Sequence, residues 1–325
     1  MGEFELIQRY FVRKQPSSSS VLLGIGDDAA LLQVPAGESL VVSVDTLVSG
    51  IHFLADTPAD RIAQRALGAA VSDLAAMGAR PLWYTLALTL PDVNESWLES
   101  FASALAKRST ELGITLVGGD TTRGPLALSL TVHGSVVKEH ALKRSGAQVG
   151  DLIAVTGTLG DSRAGLESLI QPHKASLACT EWLRERFYQP EPRLRLAQAL
   201  APHLHSAVDI SDGLLADLGH ILDASQCGAE LDVDQLPFSE SLLAFTRDDQ
   251  QRLDWALTGG EDFELCVTFA PSQGAKVSEI ATQIGAPVRV IGRIIAAPTL
   301  CLLKQGQPWQ HPYSLKGFDH FKTSQ

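Results

Sequence analysis

At residues 208–213 the chain reads VDISDG: a β-like run, then small residues, then a second aspartate. The same order of features returns as GIGDDAA (24–30), VSVDT (42–46) and VGGDTTRG (117–124). A strand that runs out into glycine or serine places a carboxylate where backbone crowding is low and a ligand can come close. The pattern falls in both halves of the chain without a strict repeat, and it predicts two related α/β halves.

The segments between these points have their own periodicities. SLVVSVD (39–45) is an apolar run that breaks at an acid. Over 59–78, Ile62, Ala66, Ala69, Ala70, Leu74 and Met77 share one stripe, which predicts a helix. WYTLALTL (83–90) predicts a strand ending at Pro91, followed by a helix from Glu95 to Leu112 that Gly113 closes. ITLV (114–117) is a strand running into Gly118-Gly119, and LALSLTVHGSVV (126–137) is a long alternating one. SGAQVGD (145–151) has the composition of a linker. Beyond it, 152–157, 205–210, 264–269 and 287–295 read as strands, and 213–226 and 272–284 as helices. The expected fold is mixed α/β, of the α+β type, with domains over residues 1–146 and 147–325.

With 325 residues the chain has room for two cores. Its 26 Lys+Arg against 37 Asp+Glu give a formal net charge of −11, which argues against nucleic acid or an anionic membrane as partner. A chain this acidic that binds phosphates is expected to do so through metal ions. No apolar run approaches the roughly 18 residues of a membrane span, and the opening MGEFELIQRYF lacks the character of a secretory leader. The four cysteines are widely spaced and form no CxxC pair, as expected of thiols in a reducing, cytoplasmic compartment.

The chemistry rests on carboxylates: Asp27, Asp28, Asp45, Asp73, Asp120, Asp209 and Asp212. Each alone also reads as a helix cap or turn residue. Brought together, their repulsion would have to be offset by cations, and hard divalent ions with oxygen ligands suit them. Asp73, in VSDLAAMGA, either borders the apolar stripe or lies on the far side of the turn. Asp217, Asp223, Asp232, Asp234, Asp248 and Asp249 lie in polar stretches and are expected in solvent.

GIGDDA (24–29) matches a dinucleotide fingerprint in letters only, because two aspartates would face the pyrophosphate and Pro35-Ala36-Gly37 stands where a helix is needed. There is no P-loop, GxSxG, HExxH or protein-kinase motif set. Gly118-Gly119-Asp120 and the TGTLGD loop (156–161) are candidate phosphate cradles, the second also reading as a plain turn. Arg123, Lys143 and Arg144 are candidate phosphate clamps, with Arg144 favoured over Lys143. His52, in DTLVSGIHF, is placed to reach a phosphate or to serve structurally. Gly259-Gly260-Glu261-Asp262 forms an acidic turn before a strand.

Taken jointly, GIGDDAALL, VSVDTLVSGIHF, SDLAAMGA, TLALTLPD, GGDTTRG, LKRSGAQVGD, VTGTLGDS, DISDGLLADL, GGEDFELC and KGFDHF resemble the thiamine-monophosphate kinase family, in that family's order, from near residue 3 to 321. The wider superfamily includes aminoimidazole ribonucleotide synthetase, selenophosphate synthetase and a hydrogenase-maturation ATPase. Selenophosphate synthetase carries a reactive N-terminal Cys or selenocysteine, whereas the first cysteine here is Cys179. The maturation protein uses a C-terminal cysteine, whereas this sequence ends FKTSQ.

The resemblance implies an N-terminal ATP- and metal-binding domain that also dimerises, and a C-terminal α/β domain that completes the site. It implies several Mg2+ ions held by Asp28, Ser43, the Val44 backbone, Asp45, Asp73, Asp120, Asp209 and Asp212. ATP contacts would fall on Gly119, Asp120, Arg144 and Ser211, and thiamine monophosphate contacts on His52, Glu261 and Phe318. The reaction implied is transfer of a phosphoryl group from ATP to thiamine monophosphate, the last step to thiamine diphosphate, with no general base. Two other readings stay open: a related ATP-dependent synthetase that forms an activated phosphate, and a regulator that binds Mg-ATP without turnover.

Overall fold

The structure, a computed structural model, describes residues 2–12, 18–171 and 175–310. It divides into two units, Met1–Leu74 with Ala79–Glu139, and Ala75–Gly78 with His140–Gln325.

In the first unit, α1 (Glu3–Tyr10) precedes a short antiparallel pair, β1 (Val21–Leu23) and β2 (Leu31–Leu32). Then come β3 (Glu38–Val48), α2 (Ala59–Ala76), β4 (Arg80–Leu90), α3 (Glu95–Leu112), β5 (Thr115–Arg123) and β6 (Ala127–Val137). The last four strands form one sheet in the order β3-β6-β4-β5. β3 and β6 are antiparallel along their full length, from Glu38 opposite Val137 to Val48 opposite Ala127. β4 and β5 are parallel, so the chain must cross over between them, and α3 is that crossover. Asn94 starts α3 by accepting the Trp97 N–H at 3.1 Å, a cap the sequence reading did not name, and Gly113 ends the helix, as expected, in the left-handed conformation.

The pair of glycines at 118–119 does not end β5, contrary to the loop expected there. The strand runs on to Arg123, with a register shift opposite Tyr84/Thr85. At Gly119 a Cβ would stand 1.9 Å from the Leu86 carbonyl oxygen, so only glycine allows β5 to stay this close to β4. On the same sheet Trp83 is buried with Leu82 and Val117, covered by Val21, Ala30, Leu32 and Val34. Its indole N–H donates to Ser20 Oγ at 3.0 Å. These contacts hold the GIGDDAA connection against the sheet. No helix follows GIGDDAA; the next element is β2.

The second unit contains β7 (Leu152–Thr156), α4 (Asp161–Ile170), α5 (Leu177–Tyr188), α6 (Leu194–Leu200), β8 (Ser206–Asp209), α7 (Leu214–Ser225) and β9 (Gly228–Asp232). It continues with α8 (Glu240–Phe245), α9 (Asp249–Thr258), β10 (Leu265–Phe269), α10 (Gly274–Ile284), β11 (Val288–Ile295), β12 (Leu300–Lys304) and β13 (Gln307–Trp309). Seven strands form one sheet, in the order β13-β12-β9-β11-β7-β10-β8. β10 is buried at every residue and pairs antiparallel with both β7 and β8. The main core joins Ile153, Val155 and Cys266 of these strands to Leu214, Leu218 and Ile221 of α7 and Leu257 of α9. Among the described residues no helix is long and apolar enough to cross a membrane.

Candidate active site

In the first unit the predicted residues fall into two groups. Asp27, Asp28, Gly119 and Asp120 line one cavity of about 970 Å3, with Gly24 and Gly26 at its glycine-rich wall. Asp27, Asp28 and Asp120 are exposed there, and the Asp28 N–H donates to Asp27 Oδ1 at 2.8 Å. Ser43, Asp45 and Asp73 make the second group. Alternation along β3 sends Ser43 and Asp45 to one face and Val44 to the other, where Val44 is exposed. The Ser43 hydroxyl donates to Asp73 Oδ2, which fixes the α2 carboxylate over β3. Asp73 is half-buried, and of its two sequence readings the one beside the apolar stripe holds. Burial, and then the Asp73 charge, push the Asp45 carboxyl up to about 6.

A partly buried carboxylate whose proton affinity is raised by burial and by a second carboxylate beside it is an arrangement a divalent cation relieves. Among the described residues no three His, Cys, Asp or Glu side chains alone form a metal-holding group. Mg2+ takes one or two carboxylates and completes its shell with water and substrate phosphates, so paired acids of this kind fit it.

His52 follows β3 in a tight turn. Its N–H donates to Val48 O, and the Val48 N–H donates back to His52 Nδ1, both at 3.0 Å. Arg65, 1% exposed, donates through Nε to the His52 carbonyl at 2.9 Å. Arg123 is engaged with the next turn, donating to Pro91 O at 3.1 Å and pairing with Asp92 at 3.6 Å.

In the second unit Asp209 ends β8 and is buried, while Ser211 and Asp212 are half-buried in the loop before α7. Glu261 lies beside them: its N–H donates to Ser211 O at 2.8 Å, and its backbone is left-handed at φ 59°. Phe263, also left-handed, donates to Ile210 O at 2.9 Å. Two non-glycine residues in this region within three positions are uncommon and mark a turn held by its surroundings. Lys143 and Arg144 are exposed, and the Arg144 carbonyl accepts from Ser225 Oγ at 3.2 Å. Phe318 lies outside the described residues.

Asp217 is not in solvent as its sequence context implied, being 2% exposed. Its Oδ2 accepts the N–H groups of Ser211, Asp212 and Gly213 at 3.0, 3.0 and 3.1 Å. Burial pushes its carboxyl up to about 7 against those three donors, which draw it down. The available signal was an acid in the first turn of a helix that follows a glycine-ended loop.

The TGTLGD loop is a structural turn. The Gly160 and Ser162 N–H groups donate to the two carboxylate oxygens of Asp262 at 2.7 and 3.2 Å, and the Gly157 and Leu159 N–H groups donate to the Pro287 and Pro237 carbonyls. No N–H among these four is left for a phosphate. Asp161, in the same loop, accepts from Ser239 and Thr158. Burial, and then the Asp161 charge, push Asp262 up to about 8. A carboxyl whose folded pKa lies above its unfolded value of 3.8 contributes stability in full below 3.8 and loses it as pH climbs to about 8. The contribution of this pair to the melting temperature is therefore expected to fall between about pH 4 and about pH 8, and Asp161→Asn to reduce the fall by removing the repulsion. Equal losses in parent and variant would show that this pair does not set the slope.

The family described as AIR synthase related protein, N-terminal domain, matches residues 26–136, and its C-terminal counterpart matches residues 148–302. The thiamine-monophosphate kinase of Escherichia coli (strain K12) is 48% identical over 324 residues, covering 99% of both chains. The crystal structure of thiamine-monophosphate kinase from Stenotrophomonas maltophilia K279a superposes with a TM-score of 0.83 at 46% identity, over 88% of this chain and 92% of that one. AaThiL complexed with AMPPCP and TMP superposes with a TM-score of 0.78 at 28% identity, over 94% of this chain and 93% of that one. Matched along its length in sequence, in both domains and in fold, the chain belongs to the thiamine-monophosphate kinase family.

Proposed function

We propose that this chain transfers the γ-phosphoryl group of ATP to the phosphate of thiamine monophosphate, giving ADP and thiamine diphosphate. The observation that carries this reading is the end-to-end match to a curated relative of that name. The acidic groups support it. A phosphate acceptor has a second pKa of about 6, so it is largely dianionic at neutral pH and needs no general base. The remaining obstacle is repulsion between donor and acceptor phosphates.

In the first unit Asp28, Ser43, the Val44 backbone, Asp45, Asp73 and Asp120 would hold Mg2+, and in the second unit Asp209 and Asp212. Bound there, Mg2+ supplies charge neutralisation and alignment of the phosphate oxygens for in-line transfer. Gly119, Asp120, Arg144 and Ser211 would bind ATP. Gly119 lines the same cavity as Asp120. His52 and Glu261 would bind the acceptor, together with Phe318. The domain assignment over 1–146 and 147–325, a homodimer formed through the N-terminal domain, and a cytoplasmic location complete the proposal.

Coupled measurement of ADP release, with thiamine monophosphate, with thiamine and with no acceptor, tests it. Release is expected to depend on thiamine monophosphate and to be poor with thiamine, which lacks the phosphate that Mg2+ and His52 would hold. Acceptor-independent release, or efficient use of thiamine, would overturn the reading.

A further inference from the structure

We infer that Asp217 is a positioning residue that holds the Ser211–Gly213 loop so that Asp212 and Ser211 face a metal-bound nucleotide. The inference rests on the proposed function, which gives those two residues their ligands. Three successive backbone N–H groups pointing the same way form a nest, and an open nest binds an external anion directly. Here the three N–H groups converge on the single oxygen Asp217 Oδ2. The chain thus supplies its own anion, from the first turn of α7, where the helix dipole favours negative charge.

The far side of the loop is also taken up. Ser211 O accepts the Glu261 N–H, and Ile210 O accepts the Phe263 N–H. A Cβ on Gly260 would stand 2.5 Å from Ser211 O, so the 259–261 turn presses directly on the loop. With these backbone groups committed internally, the loop offers a ligand the side chains of Ser211 and Asp212. Filling the nest reverses its sign: a loop whose N–H groups would attract phosphate now presents carboxylate, which reaches phosphate through a cation. The same bonds fix Glu261 relative to Asp212, so one buried oxygen sets the geometry of a proposed metal ligand and, through Ser211 O, of a proposed acceptor contact.

The test compares the full-length parent with Asp217→Ala, Asp217→Asn, Asp217→Glu and Asp212→Asn, at a temperature where circular dichroism shows each folded. Asp217→Ala is expected to raise the Mg2+ half-saturation and the KM for Mg-ATP by roughly 10- to 100-fold, the usual effect of losing an outer partner of a metal ligand. Calorimetric binding of Mg-ADP should weaken in parallel, which a loss of folded fraction would not produce. Asp217→Asn keeps an acceptor oxygen in place and should restore most of the affinity. Asp217→Glu keeps the charge but displaces the oxygen, and should stay impaired. If Asp217→Ala does not fold, the order of the Asn and Glu variants carries the test: Glu closer to parent than Asn would overturn positioning. A lowered melting temperature with both constants at the parent value would overturn it as well. Parental Mg2+ and ATP dependence in Asp212→Asn would instead overturn the reading of the loop as a ligand-binding element, and the inference with it.

Discussion

Asp45→Asn and Asp120→Asn are each expected to lower kcat by on the order of a thousandfold, because a metal-held phosphate contact contributes several kcal/mol to transfer and each 1.36 kcal/mol is tenfold. Each substitution removes a charge at nearly constant volume, so neither should unfold the protein. The two differ in a way that separates charge from packing. Asp45 is partly buried beside Asp73, and its carboxyl is pushed up to about 6. In the chelated protein, Asp45→Asn should hold or raise the melting temperature at neutral pH by relieving that repulsion. Asp120 is exposed, and its substitution should leave the melting temperature unchanged. Steady-state kinetics at limiting Mg2+, with thermal melts in a chelator, check both. Near-parental turnover in both variants would sink the assignment of these acids to metal.

Glu264→Gln is expected to cost about 3–5 kcal/mol of stability. Glu264 is completely buried, with Arg186 donating at 2.8 Å, Arg193 donating through two nitrogens, and Thr156 donating its hydroxyl. Burial alone would raise its pKa, but the Arg193 and Arg186 charges and these donors hold the carboxyl below its ordinary value. Gly157 has no side chain where Glu264 lies, since a Cβ there would meet the carboxylate at 2.1 Å. An amide leaves two guanidinium groups without their shared anion, and for a unit of this size the melting temperature should drop by roughly 6–20 °C. A shift within the error of the melt would show that solvent compensates the arginines.

The GGEDFEL run shows why its role was not legible in the sequence. Four adjacent residues meet four environments: the Glu261 N–H bonds the Ser211 loop, the Asp262 carboxylate caps the N-terminus of α4, Phe263 is buried in the interior, and Glu264 meets Arg186 of α5 and Arg193 just before α6. Partners 50 or more positions away leave no local periodicity. Long periodic segments were legible: α2, α3, β4 and β6 follow from apolar spacing, and the end of α3 from Gly113. Shorter helices such as α6 and α8 span about two turns or fewer, and their apolar faces are settled by tertiary packing. The candidate acids were legible as a set, because strand ends followed by small residues recur. Asp217 was not, because nothing in the run LLADLGHIL (214–222) shows that this one carboxylate turns back into the loop before its own helix.

The turn at His52 fixes where a proton sits. A ring nitrogen that accepts a backbone N–H must present its lone pair, so Nδ1 carries no hydrogen while Val48 donates to it. The hydrogen of the neutral ring therefore resides on Nε2, and the imidazole presents a donor on that side. Protonating the ring would set two N–H groups against each other within a turn that Arg65 holds shut. The neutral His52 ring thus offers its N–H from Nε2, the side turned away from the Val48 amide.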